Sequence, residues 1–245
     1  MDTIVRLTGG QSVTVGHLPQ GVHDAAAATI GSGTFLFGGG SATGSSGSII
    51  RVSSSGTATT AGRLPAVASD LGAASVGSTV YVVGGFTGTR SLSSILAFAP
   101  ARGVRLAAEM PRPLRYAAVA AVGGEVFIAG GTSGVNATRD LLRFDPRTGH
   151  VESVATLPFP ITHAAGATLD GRFYILGGRD DNADGQRASI LVFDPGSGRV
   201  RQVGRLPFPA SDLSAASLTD RIVALGGRDR QGRVRDEVWS LRPRR

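Results

Sequence analysis

The amino-acid sequence predicts an all-β fold built from a repeated four-stranded unit. A glycine pair follows a short apolar run five times, and the first glycines are residues 38, 84, 130, 177 and 226. A second marker, Leu-Pro or Met-Pro, begins 20 residues before each of these glycines, at residues 18, 64, 110, 157 and 206. A fixed period of about 46 to 49 residues with four short strands per repeat is typical of the blades of a β-propeller.

The third repeat shows the pattern of one blade. Its first run, from Tyr116 to Val122, is small, apolar and continuous, which indicates a strand buried on both faces. Alanine is a poor strand former, so we attribute its abundance to crowding where inner strands converge. Gly123-Gly124 predicts a hairpin turn, and Asp145-Pro146 predicts another. The four strands expected in this repeat are 116–122, 125–129, 141–144 and 151–154.

The repeats account for the whole chain, which we expect to form a single domain over residues 1–245. Residues 2–15 match the second half of a repeat, and the chain ends after a third strand. This leaves two arrangements open: a five-bladed ring, or a six-bladed ring that lacks about one repeat at its amino terminus. The expected divisions are a partial unit at 1–15 and repeats at about 16–61, 62–107, 108–154, 155–203 and 204–241.

These repeats resemble the kelch family. The resemblance is carried by the glycine pairs, by Leu-Pro before each inner strand, and by Phe144-Asp145-Pro146 and Phe193-Asp194-Pro195. The chain departs from the family in its fourth strands, which carry Val where kelch repeats usually have Trp, while Trp239 lies on a third strand. The glycine-rich, Trp-poor form is similar to bacterial kelch proteins that are often exported. The resemblance implies a scaffold that presents loops to proteins or glycans.

The amino-acid composition excludes several kinds of chemical site and partner. The chain has no Cys, which excludes thiol nucleophiles, thiolate metal sites and disulfides. Its net charge is +7, and every basic residue is Arg. The arginines are scattered over the repeats and form no stripe, so we expect no nucleic-acid partner. No apolar run is long enough to span a membrane.

The first residues of the sequence do not have the pattern of a signal peptide. The localisation therefore depends on the true length: the protein is exported if an upstream signal segment precedes this chain, and cytoplasmic otherwise. We expect a monomer.

Candidate site residues cluster in two kinds of loop. The loop entering the inner strand and the loop after the glycine pair open at the same end of a blade, because strand direction alternates. The position six residues after each Leu or Met of the second marker is equivalent in all five repeats. The candidate ligand-binding residues at and beside these positions, and after the glycines, are Asp24, Asp70, Arg115, Tyr116, His163, Asp212, Arg179, Arg228 and Phe86.

Two interpretations of these residues stay open. Asp before a strand often accepts backbone N–H bonds from its own turn, and a buried His or Tyr can be an ordinary satisfied polar group. Alternatively, the same side chains line a ligand site. The acidic loop with Asp180, Asp181 and Asp184 lacks the distal Glu of a calcium loop, so we interpret it as a solvated turn. We predict no metal and no cofactor.

The sequence therefore predicts a non-catalytic binding propeller whose loops, at one mouth of the central channel, meet a protein or carbohydrate partner. The alternative is a sugar-modifying enzyme, similar to a mutarotase or epimerase, at the same mouth. Arg115 and His163 would supply its acid and base groups. The chain shows no nucleophile elbow and no His pair with metal-ligand spacing, which favours binding over catalysis.

Overall fold

The computed structural model describes residues 2–134, 136–182 and 185–242. Within these ranges every regular element is a β-strand, and the chain divides into two compact units, Met1–Arg115 and Tyr116–Arg245. Each unit consists of antiparallel sheets in which consecutive strands are neighbours. This up-and-down order is that of propeller blades, so the predicted all-β propeller fold is confirmed.

The first unit contains two four-stranded blades and two smaller hairpins. The blades have the strand orders β3-β4-β7-β8 and β9-β10-β11-β12, and the hairpins are β1-β2 and β5-β6. The β5-β6 hairpin was not predicted, because its Ser- and Gly-rich segment has no apolar alternation. The strands are β1 (Thr3–Thr8), β2 (Gln11–His17), β3 (Ala26–Ile30), β4 (Gly33–Phe37), β5 (Gly40–Ser41), β6 (Gly44–Ser45), β7 (Ser48–Val52), β8 (Ala58–Arg63), β9 (Gly72–Val76), β10 (Thr79–Val83), β11 (Ser94–Ala99) and β12 (Gly103–Glu109).

The second unit contains three blades. Two of them are four-stranded, with the orders β13-β14-β15-β16 and β17-β18-β19-β20, and the last has the order β21-β22-β23. The strands are β13 (Ala118–Val122), β14 (Glu125–Ala129), β15 (Asp140–Asp145), β16 (His150–Thr156), β17 (Ala165–Leu169), β18 (Arg172–Leu176), β19 (Ser189–Asp194), β20 (Arg199–Arg205), β21 (Ser214–Ser217), β22 (Ile222–Leu225) and β23 (Val238–Leu241).

The β1-β2 hairpin has the register of the outer half of a blade. Its pairing shifts between Ile4 and Val5. The same shift occurs where the third strand pairs with the fourth in a complete blade, for example between Leu141 and Leu142. Residues 2–15 thus repeat the pairing geometry of third and fourth strands, which is the relation that their sequence similarity predicts.

In the first four repeats, the second glycine of the pair is hydrogen-bonded to the segment that leads into the following inner strand. The amide of Gly131, for example, donates to the carbonyl of Ile161 in the following blade over 2.9 Å. Both glycines of that pair have positive φ, 65° at Gly130 and 93° at Gly131. A Cβ on Gly130 would lie only 2.2 Å from the Ile161 carbonyl oxygen. The glycine pair that organises the sequence is therefore the seam where the backbones of two blades meet.

The inner strands also approach one another closely. A Cβ on Gly166 of β17 would lie 2.7 Å from the backbone nitrogen of Val119 in β13. Farther out, large aromatic side chains fill the space between neighbouring blades: the Phe127 and Phe193 ring centroids are 5.3 Å apart. Small residues are therefore required in the inner strands, and large ones fill the space between neighbouring blades farther out. The structure supports crowding as the reason for the alanine-rich inner strands.

Candidate functional site

The residue in front of each inner strand has a left-handed backbone in all five repeats. Such a conformation strains any residue with a Cβ, although Asp and His tolerate it better than most and Tyr is an outlier. The positions are the ones aligned in the sequence: Asp24 with φ of 51°, Asp70 with 60°, Tyr116 with 55°, His163 with 57° and Asp212 with 57°.

These left-handed residues link consecutive blades within each unit. In the first unit the amide of Asp70 donates to the Asp24 carbonyl over 2.9 Å. In the second unit the amide of His163 donates to the Tyr116 carbonyl, and that of Asp212 to the His163 carbonyl, each over 3.0 Å. Only backbone atoms make these bonds. The fold therefore fixes the position of the residue, while the identity of its side chain is left to other requirements.

In the first unit, an ion pair and an aromatic ring hold Arg115. Its Nη1 lies 3.4 Å from Oδ2 of the buried Asp70, and its guanidinium carbon lies 4.3 Å from the centroid of the Phe86 ring. The remaining candidate, Asp24, is more exposed, and its carboxylate lies 2.8 Å from Nδ1 of His23. Arg115, Asp70 and Phe86 thus form one cluster, in which a cation is oriented by a carboxylate and a ring.

In the second unit, the His163 ring contacts both the Tyr116 ring and the Arg179 guanidinium. The Tyr116 and His163 rings have centroids 3.6 Å apart and an interplanar angle of 23°. Arg179 places Nε 3.3 Å from Nδ1 of His163 and Nη2 3.0 Å from Nε2. The two ring nitrogens point away from each other, so one guanidinium reaches both only from above the ring. Arg179 therefore covers the face of His163 that Tyr116 leaves open.

Asp212 and Arg228 stand at the border of this second cluster. Oδ1 of Asp212 is 3.8 Å from Nε2 of His163, too far for a hydrogen bond, and its Oδ2 accepts a bond from the Ser211 hydroxyl over 2.6 Å. The side chain of Arg228 is exposed and donates to the Gly232 carbonyl over 3.2 Å. Arg228 is positioned by its own loop, whereas Asp212 lies beside His163.

The geometry of both clusters suits recognition better than acid–base chemistry. His163 is only 9% exposed, because a ring and a guanidinium cover its two faces. Arg115 contacts Asp70 and Phe86, and His163 contacts Tyr116 and Arg179. The carboxylates of Asp24 and Asp212 contact side chains, His23 and Ser211, in place of the backbone amides expected for simple capping.

A second pair of sites was not foreseen from the sequence. In the fourth repeat, Arg187 binds Asp180 through Nη2 over 2.7 Å and lies 3.9 Å above the Phe159 ring. In the fifth repeat, Arg235 lies 4.5 Å above the Phe208 ring and 3.5 Å from Asp229. A signal for this pairing exists in the sequence: only these two repeats contain both Leu-Pro-Phe-Pro and Gly-Gly-Arg-Asp.

The two carboxylates beside Arg235 both ionise more readily than usual. Burial alone would raise the pKa of Asp229, but the backbone amide and side chain of Arg233 outweigh it and lower this pKa. The hydrogen bond from Arg235 lowers the pKa of Glu237. Both groups are therefore anions at neutral pH, and Arg235 is fully neutralised by its own repeat.

The acidic loop of the fourth repeat is exposed at Asp181 and Asn182, as expected of a solvated turn, and it also makes contacts with its surroundings. Asp180 is 15% exposed and holds Arg187, and Asp181 accepts a bond from the backbone amide of Ala137 over 2.8 Å. Asp184 lies outside the described residues. Across the described part of the chain, no three His, Cys, Asp or Glu side chains come together as a metal-binding group.

Comparison with known proteins is consistent with this architecture. The Kelch motif family model matches residues 68–102, in the second repeat, and residues 113–158, which cover most of the third repeat and the start of the fourth. A search of curated proteins finds no match to the chain. Among the described residues, no helix is long and apolar enough to cross a membrane.

Proposed function

Because this chain is built of kelch repeats that fold as propeller blades, we propose that it is a binding protein whose blade-end loops recognise another protein. The proposal depends most on one observation: arginine and aromatic side chains are paired in the blade-end loops of each unit. They are Arg115 with Phe86 in the first unit, and Arg179 with His163 and Tyr116 in the second.

These residue types favour a protein partner. Aromatic residues and arginine contribute a large share of the energy at protein interfaces, since they bring large contact areas and several hydrogen-bond donors. Arg115 and Arg179 are held in place by neighbouring side chains. A side chain that is ordered before binding loses less conformational entropy in the complex. The clusters therefore provide anchors that are already oriented.

The charges favour an acidic partner. Arg179 and the exposed Arg228 follow the glycine pairs of the fourth and fifth repeats. Arg228 donates to a backbone carbonyl, which leaves its positive charge unneutralised by that bond. Carboxylates on a partner would form charge-assisted bonds with such guanidinium groups. We favour this role over a glycan site or a sugar-modifying enzyme, because the covered His163 ring leaves little surface to a reacting sugar.

The experiment is to capture the partner by cross-linking in an extract of the source cells, identify it, and measure its affinity by calorimetry. Arg115→Ala and Arg179→Ala should each weaken binding at least about tenfold, the effect expected of an interface anchor. His163→Gly should also weaken it, because glycine keeps the left-handed backbone and removes only the ring contact.

The matched control is Arg147→Ala. Arg147 is an exposed arginine in the β15-β16 turn, at the opposite end of its blade, where it pairs with Asp145. This variant should bind as the wild type does. Unchanged affinity in both Arg115→Ala and Arg179→Ala, with melting temperatures unaffected, would contradict the proposal.

A further inference from the structure

The fourth and fifth repeats contain the same small structure, and the residues at two of its positions differ. The amide of Gly177 donates to the Ser189 carbonyl, and the amide of Gly226 donates to the Glu237 carbonyl, each over 3.0 Å. Ser189 and Glu237 therefore occupy equivalent positions. Arg187 and Arg235 are equivalent in the same way, because the backbone amide of each donates to the carbonyl of the second glycine of its repeat, over less than 3.0 Å.

In the fifth repeat this structure is complete. Glu237 places Oε2 3.1 Å from Nε of Arg235, and its Oε1 accepts a second bond from Nη2. Asp229 approaches Nη1, and Phe208 lies beneath the guanidinium. The planar fork of Arg235 is thus occupied by two carboxylates and one ring, of which Glu237 forms the bidentate pair.

In the fourth repeat the bidentate carboxylate is missing. Arg187 keeps its Asp180 partner and its Phe159 ring, but the equivalent of Glu237 is the short Ser189. Among the residues that the structure describes, Nε of Arg187, Oε1 of Gln186 and Oγ of Ser189 are buried polar atoms with no hydrogen-bond partner. Buried polar atoms in folded proteins are nearly always paired, so these three require an explanation.

The three unpaired atoms belong to residues that line one cleft. Its volume is about 200 Å³, and its rim carries the exposed side chains of Arg205 and Arg230. Gln186 itself is not demanded by the fold: at the equivalent bridge positions the other repeats have Ser91, Ala137 and Val234. A polar side chain that the repeat does not need, and that lacks a partner inside the protein, points to a ligand.

We propose that this cleft binds the carboxylate of a small ligand that also carries an N–H or O–H donor. The carboxylate takes the place on Arg187 that Glu237 takes on Arg235, and the ligand's donor binds Oε1 of Gln186. Ser189 Oγ adds a donor, and the cationic rim attracts the anion. The three atoms are closed to bulk water, so entry requires rotation of rim side chains such as Arg205.

Two sources supply this chemistry: a free hydroxy or acylated amino acid, and the carboxyl terminus of a peptide, whose last residue has a carboxylate beside an amide N–H. The volume of the cleft suits one residue in either case. The inference does not depend on the proposed protein partner, since it rests on the comparison of two repeats within one unit.

The first measurement is a calorimetric or NMR titration of the full chain with N-acetylglycine, with lactate and with a short peptide. N-acetylglycinamide and the same peptide with an amidated carboxyl terminus serve as probes without a carboxylate. We expect a dissociation constant on the order of 1 mM for N-acetylglycine and no binding of the amides. Tighter binding of the peptide would identify a carboxyl terminus as the source, and tighter binding of lactate a free acid.

Two variants test the assignment. Ser189→Glu should supply an internal carboxylate, as in the fifth repeat, and abolish binding while the melting temperature stays the same or rises. Gln186→Val, which copies the residue found at Val234, should weaken binding about tenfold. The control is Ser94→Glu, which adds the same charge at the equivalent position of the second repeat, where Leu92 replaces the arginine.

The proposal also predicts a gain of function. Glu237→Ser should release Arg235 and create a second site for N-acetylglycine, about tenfold weaker than the first because Val234 stands where Gln186 accepts the ligand's donor. The proposal is overturned if N-acetylglycine shows no saturable binding to the wild type at about 10 mM, well above its expected dissociation constant. It is equally overturned if Ser189→Glu or Gln186→Val binds N-acetylglycine as well as the wild type does.

Discussion

Replacing Gly130 with alanine tests whether the glycine pairs are required for the approach of neighbouring blades or only for a turn. The new Cβ would lie 2.2 Å from the backbone oxygen of Ile161, about 1 Å inside the closest distance that such atoms adopt. Since both atoms belong to backbone, neither can rotate away. The seam must open, and the bond from the Gly131 amide to that oxygen is weakened.

The chain offers two controls with the same backbone angle. Gly123→Ala, in the β13-β14 turn, has φ of 62° and no atom within 4 Å of the added Cβ, and Gly226→Ala has φ of 62° with the Arg235 oxygen at 3.3 Å. Left-handed strain alone should therefore cost about 1 kcal/mol in Gly123→Ala. Gly226→Ala should cost a few tenths of a kcal/mol more.

Gly130→Ala carries the same strain together with the clash. The weakened hydrogen bond adds about 1 kcal/mol, and the forced displacement of packed backbone adds about 1 to 3 kcal/mol. We expect a total loss of about 3 to 5 kcal/mol in the free energy of unfolding. The assay is chemical denaturation of the three variants and the wild type, followed by the fluorescence of Trp239, with stability taken from midpoint and slope.

The order of the three variants decides the question. A loss in Gly130→Ala that exceeds the loss in Gly123→Ala by about 2 kcal/mol or more supports the seam, because the backbone strain is common to both. Equal losses, within about 0.5 kcal/mol, would refute the reasoning: the glycine would then serve only to permit a positive φ.

Three further predictions concern the left-handed position, the fifth repeat and the core. Asp24→Ala should be about 1 kcal/mol less stable in denaturant titrations than Asp24→Gly, because φ is 51° there; equal stability would remove the strain argument. Glu237→Gln should lower the melting temperature at pH 7, and the difference from wild type should vanish as the pH falls through the lowered pKa of Glu237, since a carboxylate whose pKa is lowered in the folded state stabilises only while ionised. A gap that persists in acid would contradict the ion pair with Arg235. Phe98→Ala, at a ring packed against Phe35 and Phe37, should cost about 3 to 5 kcal/mol, whereas Leu106→Ala, at an exposed position, should cost less than about 0.5 kcal/mol.

The candidate positions followed from spacing because the repeat is regular up to the inner strand. The five residues in front of the inner strands were aligned by counting from Leu-Pro, and all five have the same left-handed backbone. Counting along the chain could not show that conformation, however, since Asp, Tyr and His share no signal for it. Nor could it show that the amide of His163 binds Tyr116 of the preceding blade.

Local patterning determined the strands, their order and the repeat. Alternating and continuous apolar runs, glycine pairs and Asp-Pro turns act over a few residues, so their effect is visible along the chain. What required the tertiary structure was the state of individual side chains. Arg187 and Arg235 belong to repeats that share Leu-Pro-Phe-Pro and Gly-Gly-Arg-Asp, yet one has an open Nε and the other a bidentate carboxylate. That difference depends on the residue two positions farther along, which is Ser189 in one repeat and Glu237 in the other. It also depends on how the loops of two neighbouring blades pack, which the spacing within a repeat does not determine.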